Sequence, residues 1–349
     1  MQTSFKNSRN FNMGNIYRAA LIGCGRIGTG VERYASVIQP WAHASVLEAN
    51  PRTELVALVD AGAESLAKAH ANFPTAAIFE DAQKMFDEIK PDIVTIATPT
   101  PSHKALTLMA ARSGVKAIVC EKPIALSVQD GEEMIKVCRE ANIPLFINHI
   151  RRFDTLIRDA KAKLPEIGEI TQANARYTRG IHNNGTHTID LLRYFMGEVV
   201  STSGVRNTST ETYTDLPDDP NIDGMLFFAS GARASLQSFD SNDYSIFDFD
   251  WYGRKGLLSL RHFGFRVEMS GVKSCSAFVG HKELHDMART VAGEPRSFMA
   301  PMVQHVVDCL DGKDAPVCTG EDGVAALRVI EALEKSAREN GAMVSVASV

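Results

Sequence analysis

The stretch Ala19-Ala20-Leu21-Ile22-Gly23-Cys24-Gly25-Arg26-Ile27-Gly28 places an apolar run directly before a GxGxxG turn. After a helix-compatible segment, a second apolar run, Glu54–Val59, ends in Asp60. The order strand, glycine turn, helix, strand and acid is the arrangement that binds a dinucleotide, with the pyrophosphate at the helix N-terminus. The loop residues predicted to contact the cofactor are Gly23, Gly25, Arg26, Ile27 and Gly28.

The acid at the end of the second strand bears on which dinucleotide binds. The Asp60 carboxylate suits ribose hydroxyls and repels a 2′-phosphate, so we predict NAD rather than NADP. Helix capping near Ala63 is an alternative role, compatible with the first. Asp60 lies 32 residues beyond Gly28, whereas about 20 is usual. This excess indicates an insertion around Thr29–Pro40, close to the phosphate loop.

Composition narrows the class of protein and its partners. The chain has 349 residues, 44% of them hydrophobic and 23% charged, which is enough for two ordinary globular cores. A net charge of −5 gives no basic footprint for nucleic acid. No apolar run has the length of a membrane span, and the polar residues 1–16 are interpreted as a flexible arm, not a signal peptide.

The six cysteines are scattered and form no CxxC pair. This distribution argues against a zinc site and against a disulfide scaffold, so we predict no bound metal. Reduced thiols are typical of a cytoplasmic protein, which is the location that we expect.

Strand-like and helical patterns alternate through the first half of the chain, which predicts an α/β fold with a doubly wound parallel Rossmann sheet over residues 17–149. The predicted strands are Ala19–Ile22, Leu55–Val59, Ala77–Phe79, Ile93–Ile96, Ala117–Cys120 and Leu145–Asn148. The predicted helices between them are Ser45–Ala49, Ala63–Ala71, Ala82–Ile89, His103–Arg112 and Val128–Glu140.

Beyond residue 150 the strand-like patterns follow one another without helical patterns between most of them. This pattern predicts an α+β domain over 150–349 with a large, mainly antiparallel open sheet. Its predicted strands are Ile170–Thr178, Val199–Arg206, Met225–Phe228, Arg233–Phe239, Phe247–Tyr252, Leu257–Leu260 and Phe265–Met269. Its predicted helices are Asp154–Leu164, Met299–Leu310 and Glu321–Asn340. Because the closing helices are too few to cover both faces of an apolar sheet, we predict a homodimer or homotetramer.

Two loops follow strands of the parallel sheet, where ligands bind outside the carboxyl ends. In Glu121-Lys122-Pro123, the lysine is positioned to donate to a substrate oxygen, and a solvated loop lysine is the alternative. In Ala97–His103, Thr98 and Pro99 are candidate nicotinamide contacts and Ser102 is a candidate helix cap. The predicted cofactor contacts in these two loops are Thr98, Pro99, His103, Glu121, Lys122 and Pro123.

The segment Asn183-Asn184-Gly185-Thr186-His187-Thr188-Ile189-Asp190 opens a helix with an apolar face. His187 lies near the helix start, where the dipole favours the neutral imidazole that a general acid or base requires. Asp190, three residues on, is predicted to orient it. A histidine that merely caps the helix is the alternative.

Together these motifs resemble the glucose–fructose oxidoreductase / inositol dehydrogenase (Gfo/Idh/MocA) family, from about Tyr17 to Val346. Pro40–His43 and Asn148–Asp154 are similar to the family as well. The resemblance implies hydride transfer between nicotinamide and a hydroxyl or ketone of a sugar, nucleotide sugar or cyclitol. It implies that Lys122 and His187 are catalytic and flank the reacting oxygen. The substrate-binding residues that it implies are Lys122, Arg152, Asn183 and His187.

One position departs from the family pattern. Many members carry an aspartate four residues before the catalytic histidine, whereas this chain has Asn183, which cannot exchange a proton at pH 7. The proton-relay role would then fall to Lys122 and His187. Three alternatives stay open: a nucleotide-binding regulatory protein without turnover, a dehydrogenase of a non-sugar substrate, and a lyase-like glycosidase that uses transient oxidation.

Overall fold

A computed structural model describes residues 14–30, 39–210, 219–285, 289–292 and 296–348. Most of the predicted arm and residues 31–38 of the predicted insertion lie outside these ranges, so both interpretations stay predictions. Within the described ranges, no helix combines the length and the apolar composition that crossing a bilayer requires.

The first half of the chain forms a six-stranded parallel sheet in the order β3-β2-β1-β4-β5-β6. Its strands are β1 (Tyr17–Ile22), β2 (Thr53–Val59), β3 (Ala77–Phe79), β4 (Ile93–Ile96), β5 (Ala117–Cys120) and β6 (Leu145–Ile147). Its helices are α1 (His43–Ala49), α2 (Ala63–Asn72), α3 (Ala82–Ile89), α4 (His103–Arg112) and α5 (Val128–Glu140). Strands β4 and β5 are buried along their whole length, as expected of apolar strands with helices on both faces.

The strand order reverses between β1 and β4, and ligands bind at such a reversal, outside the carboxyl ends of the strands. The predicted Rossmann sheet is therefore confirmed. One detail differs: Arg26–Gly30 forms a single π-type turn after the glycine loop, and the next described helix is α1.

The second half forms a ten-stranded sheet in which β10 is parallel to β7 and the other pairs are antiparallel. Its strands are β7 (Ile170–Thr178), β8 (Val199–Arg206), β9 (Ile222–Phe228), β10 (Arg233–Phe239), β11 (Asp248–Gly253), β12 (Gly256–Arg261), β13 (Arg266–Ser274), β14 (Lys282–Leu284), β15 (Arg289–Ala292) and β16 (Val344–Ser345). Its helices are α6 (Thr155–Ala162), α7 (Leu164–Ile167), α8 (Thr186–Met196), α9 (Met299–Leu310) and α10 (Gly320–Arg338). The predicted mainly antiparallel sheet is confirmed. The sequence missed β14, β15 and β16, which are short and lie at the sheet periphery.

Helices cover one face of this sheet, and the core there contains Trp251, stacked between Phe195 and Phe249. The opposite face differs from the apolar surface expected from the sequence. On that face Asn174 accepts a hydrogen bond from Ser235, and Arg176 pairs with Asp250. The apolar argument for an oligomer is therefore weaker than the sequence suggested.

Helix α10 joins the two halves of the molecule. Leu327 packs in the core of the parallel sheet, and Leu333 packs in the core of the large sheet. Phe146, at the edge of the parallel sheet, also bridges to Thr319 just before α10. Helix α10 therefore contributes to both hydrophobic cores.

Candidate active site

The glycine loop after β1 is shaped by close approaches of the backbone. Gly23 has a φ of +103°, and a Cβ there would lie 2.6 Å from the carbonyl of Ala97. A Cβ at Gly28 would lie 2.0 Å from the Gly23 oxygen, whereas one at Gly25 would meet nothing within 4 Å. Gly23 and Gly28 are thus required by the fold, while Gly25 leaves open space at the loop, which fits the approach of a dinucleotide phosphate.

Asp60 ties the end of β2 to this loop. Its Oδ2 accepts a hydrogen bond from the Cys24 amide at 2.7 Å, and its Oδ1 accepts one from Gly62 at 2.8 Å. Gly62 is the N-cap residue of α2, so the alternative that Asp60 caps this helix is wrong. The contact of this carboxylate with the cofactor ribose stays a prediction.

His103 links the loop after β4 to the loop after β5 by hydrogen bonds. Its ring nitrogens lie 2.9 Å from the Thr98 carbonyl and 3.0 Å from the Pro123 carbonyl. Ser102 does not cap α4, contrary to the prediction, because its hydroxyl bonds back to Thr98 and Pro99. Cofactor contacts by this loop stay a prediction.

Glu121 is buried beneath the loop after β5. Its Oε1 accepts a hydrogen bond from Asn148 at 2.6 Å and lies 2.7 Å from His43 Nε2, while Oε2 accepts one from the Lys122 amide. Burial alone raises the pKa of Glu121, but His43 and Lys122 overcome this effect and lower it to about 2. This anion holds the backbone of Lys122, whose peptide bond to Pro123 is cis.

Lys122 reaches across to the second half of the molecule. Its Nζ donates to the Asn183 backbone oxygen at 2.9 Å and to Asn183 Oδ1 at 3.0 Å. Burial lowers the pKa of this lysine, Glu121 and Asp219 oppose the effect, and the positive charge of Arg151 adds to it. The predicted site residues Lys122 and Asn183 are therefore in direct contact.

His187 is buried in the first turn of α8. Within the described ranges its Nδ1 has no hydrogen-bond partner, and its ring lies edge-on to His149, with the centroids 5.6 Å apart. Burial, followed by the charges of Lys122 and Arg151, lowers the pKa of His187 well below its usual value. This direction favours the neutral imidazole, and its causes are burial and nearby cations, whereas the sequence pointed to the helix dipole.

Asp190 does not orient His187, contrary to the prediction. Its Oδ1 lies 3.1 Å from His149 Nδ1 and 2.8 Å from Arg152 Nη2. The other terminal nitrogen of Arg152 pairs with Asp322 at 2.8 Å. Arg152 is only 5% exposed and engages these carboxylates, so its contacts give the predicted role in substrate binding no support.

The sequence analysis missed Asp219. Its Oδ1 accepts a hydrogen bond from the His182 amide at 2.8 Å, and its Oδ2 accepts one from the Asn183 amide at 3.0 Å. A Cβ at Gly180 would lie 2.1 Å from Asp219, which explains the glycine. The glycine at position 180 is a sequence signal for a close approach in this turn, but nothing nearby in the sequence identifies Asp219 as the approaching residue.

Arg151 is the second residue that was missed. Its guanidinium lies 3.7 Å from the centroid of the Phe247 ring and donates to the Phe263 carbonyl at 3.4 Å. Its charge acts on both Lys122 and His187. The motif Asn148–Asp154 contains both Arg151 and Arg152, but only the fold shows that their side chains contact different groups.

Among the described residues, one group has the composition of a metal site: His149, Asp190 and Cys318. The Arg152 guanidinium already neutralises Asp190, and burial raises the pKa of the Cys318 thiol, which opposes the thiolate that a metal needs. The chemistry of this group is that of an internal ion pair.

The fold and the site define a two-domain α/β oxidoreductase that binds a nicotinamide dinucleotide. Residues 17–149 match the model of the Gfo/Idh/MocA oxidoreductase family with an NAD-binding Rossmann fold, and residues 180–346 match the family's C-terminal alpha/beta domain. The chain belongs to this family, as the resemblance predicted, and its first domain is an NAD-binding Rossmann domain.

Relatives match along nearly the whole chain. A D-apiose dehydrogenase of Paraburkholderia graminis is 27% identical, over 93% of this chain and 88% of the relative. An inositol 2-dehydrogenase of Rhizobium meliloti is 27% identical, over 92% and 97%. The WlbA dehydrogenase of Bordetella pertussis, solved with NADH and UDP-GlcNAcA, aligns with a TM-score of 0.73 over 95% and 99% at 22% identity, which supports the fold.

Proposed function

We propose that this chain is an NAD-dependent dehydrogenase or reductase that acts on a CH–OH group of a sugar, nucleotide sugar or cyclitol. The names of the apiose and inositol dehydrogenases support this substrate class, and Asp60 supports NAD over NADP. The residues that would hold the cofactor are Gly23, Gly25, Arg26, Ile27, Gly28 and Asp60 in the first strand-end loops, with Thr98, Pro99 and Lys122 beside the nicotinamide.

The observation that carries the proposal is the contact of Lys122 Nζ with Asn183, at 2.9 and 3.0 Å. This contact joins the strand-end loop of the cofactor domain to the turn that leads into His187. The contact supports our proposal that this lysine, at the carboxyl end of a parallel strand, and the buried histidine face one reacting oxygen.

The nicotinamide supplies the chemistry of accepting or returning a hydride. In the direction of oxidation, neutral His187 takes the hydroxyl proton through a ring nitrogen, and Lys122 donates a hydrogen bond to the oxygen as negative charge develops. In reduction, the same groups return the proton. Asn183 Oδ1 accepts from Lys122, so its amide nitrogen serves as the donor to a substrate hydroxyl.

A screen of polyols and sugars with NAD⁺, followed by NADH absorbance, tests the proposal. We expect turnover with at least one sugar-like alcohol and its loss in both Lys122→Ala and His187→Ala. The control Lys163→Ala removes a lysine from a helix end of the second domain and should leave turnover unchanged. NADH binding without turnover on any member of the panel would instead favour the regulatory alternative.

We further propose a cytoplasmic homodimer or homotetramer that associates through the large sheet. The open sheet supports the assembly, and the six free thiols support the location. Light scattering at micromolar concentration tests the assembly, and a stable particle of the chain mass, 38.1 kDa, would contradict it.

A further inference from the structure

We infer that Arg151 forms an anion subsite, so that the substrate carries a carboxylate or phosphate substituent, which the guanidinium binds beside the reacting oxygen. This inference rests on the proposed function, because Lys122 and His187 define where that oxygen lies. It narrows the substrate class from sugar-like alcohols to their acidic derivatives.

The charge of Arg151 is not matched by an ion pair with any described residue. Its contacts are the face of the Phe247 ring and a long hydrogen bond to the Phe263 carbonyl. Asp154 is the acid whose charge acts on it, but both Asp154 oxygens already accept from Arg296, at 2.6 and 2.7 Å. Burial lowers the pKa of Arg151 to about 9, which is the signature of a cation without a counter-ion.

Acids that face the neighbouring cation are engaged as well. Glu121 is held by His43 and Asn148, and both oxygens of Asp219 accept backbone amides of the turn before α8. A ligand that brings negative charge to Arg151 would therefore pair with a buried cation that has no ion-pair partner among the described residues.

The guanidinium is also fixed in direction. Stacking on Phe247 and the bond to Phe263 restrict its rotation, and a Cβ at Gly264 would lie 3.5 Å from Nε. A planar guanidinium held in this direction can donate two parallel hydrogen bonds to a carboxylate or phosphate. A neutral hydroxyl could accept a hydrogen bond from the guanidinium but would not neutralise its charge.

The test is calorimetric titration of NADH-loaded protein, in which an alcohol binds without turnover. The probes are D-glucose, D-glucuronate and D-glucose 6-phosphate. We expect at least one acidic probe to bind about tenfold more tightly than D-glucose, and Arg151→Gln to weaken that probe by about 10- to 100-fold, the range for a hydrogen bond to a charged group. Affinity for D-glucose should stay the same, and the acid that responds identifies carboxylate or phosphate as the source of the charge.

Two further variants make the result specific. Arg151→Lys keeps the charge but cannot donate two parallel hydrogen bonds, so its loss of affinity for the acidic probe should be intermediate. If Arg151→Gln does not fold, Arg151→Lys replaces it in the test. Arg254→Gln removes an exposed arginine paired with Glu169 and should match the wild type. Melting temperatures confirm that each variant is folded.

Equal or tighter binding of D-glucose than of both acids overturns the inference, as does an acid preference that survives in Arg151→Gln. These outcomes differ from failure of the proposed function. If an acid binds through Arg151 but no sugar yields NADH, the dehydrogenase proposal fails and the subsite stands. If a neutral sugar yields NADH equally well in Arg151→Gln, the dehydrogenase stands and the subsite fails.

Discussion

Two polar clusters lie side by side where the halves of the molecule meet, and they are built differently. The closed cluster consists of His149, Arg152, Asp190 and Asp322, and its cation lies within 2.8 Å of two carboxylates. The open cluster consists of Lys122, Arg151 and His187. The cation of the closed cluster is paired with carboxylates, whereas Arg151 of the open cluster has no ion pair with a described residue, which is why we propose a ligand there.

The pKa directions express the same difference. Burial alone raises the pKa of Asp190 and lowers that of Arg152, yet within the closed cluster the partners reverse both effects and stabilise the charged forms. In the open cluster, burial lowers the pKa of Lys122 and of His187, and their like-charged neighbours add to the shift. The closed cluster thus favours charged groups, whereas in the open cluster the shifts favour the neutral forms of Lys122 and His187.

The largest effect that tests this contrast is on turnover. We expect Lys122→Ala and His187→Ala each to lower kcat by about 10²- to 10⁴-fold, the range for a lost acid–base group. Stability should change little in His187→Ala, whereas Lys122→Ala should also lower it, because this variant removes a cation that faces the buried carboxylates of Glu121 and Asp219. Steady-state kinetics with NADH absorbance and denaturant unfolding measure both quantities, and near-full activity in His187→Ala would place the acid–base role elsewhere.

The closed cluster should show the opposite behaviour. Asp190→Ala leaves a buried cation with one partner fewer, so we expect the free energy of unfolding to fall by about 3 kcal/mol, as for a broken buried ion pair. Urea titration followed by tryptophan fluorescence checks this. A loss of turnover as large as in His187→Ala, with unchanged stability, would move Asp190 into the open cluster.

A smaller effect concerns the cofactor. Asp60→Ala removes the charge that repels a 2′-phosphate, so the preference for NAD over NADP should fall by roughly tenfold, or about 1.4 kcal/mol. Because Asp60 also accepts the Cys24 amide, NAD itself should bind more weakly. Titration of NADH and NADPH measures both terms, and tighter binding of NADPH by the wild type would contradict the premise.

The smallest effect is a shift in pH dependence. Asn183→Asp places a carboxylate against Lys122 Nζ, which offsets the positive charge that lowers the pKa of His187. Since the base must be neutral, activity is lost as pH falls through this pKa, and the acid limb of the profile should move to higher pH. The companion Asn183→Ala should raise KM more than it lowers kcat. Unchanged values in both variants would remove Asn183 from the site.

The sequence predicted the strands of the parallel sheet almost residue by residue. Each strand is an apolar run, and glycine, proline or helix-capping residues mark the loops between strands and helices. The large sheet was predicted as a type, but its strands β14, β15 and β16 were missed, since strands of two to four residues are too short to show a hydrophobic period. Motif positions likewise identified Lys122, Asn183 and His187, because strand ends and helix starts are local features.

Partners across the fold could not be predicted. Asp190 lies three residues after His187 on the same helix, yet it turns to His149 and Arg152. Asp219 approaches Asn183 from a distant part of the chain. Whether a buried charge is compensated depends on which groups meet in space, and spacing along the chain carries no information about that.

The sequence by itself therefore determined the family, the Rossmann sheet, the cofactor class and the identity of the proposed acid–base pair. Only the tertiary structure decided which of two adjacent arginines is paired with carboxylates and which has no ion pair among the described residues. Arg151 and Arg152 are consecutive residues of one short turn, yet their side chains point in different directions. Long-range packing directs one side chain to carboxylates and the other to an aromatic ring beside Lys122 and His187.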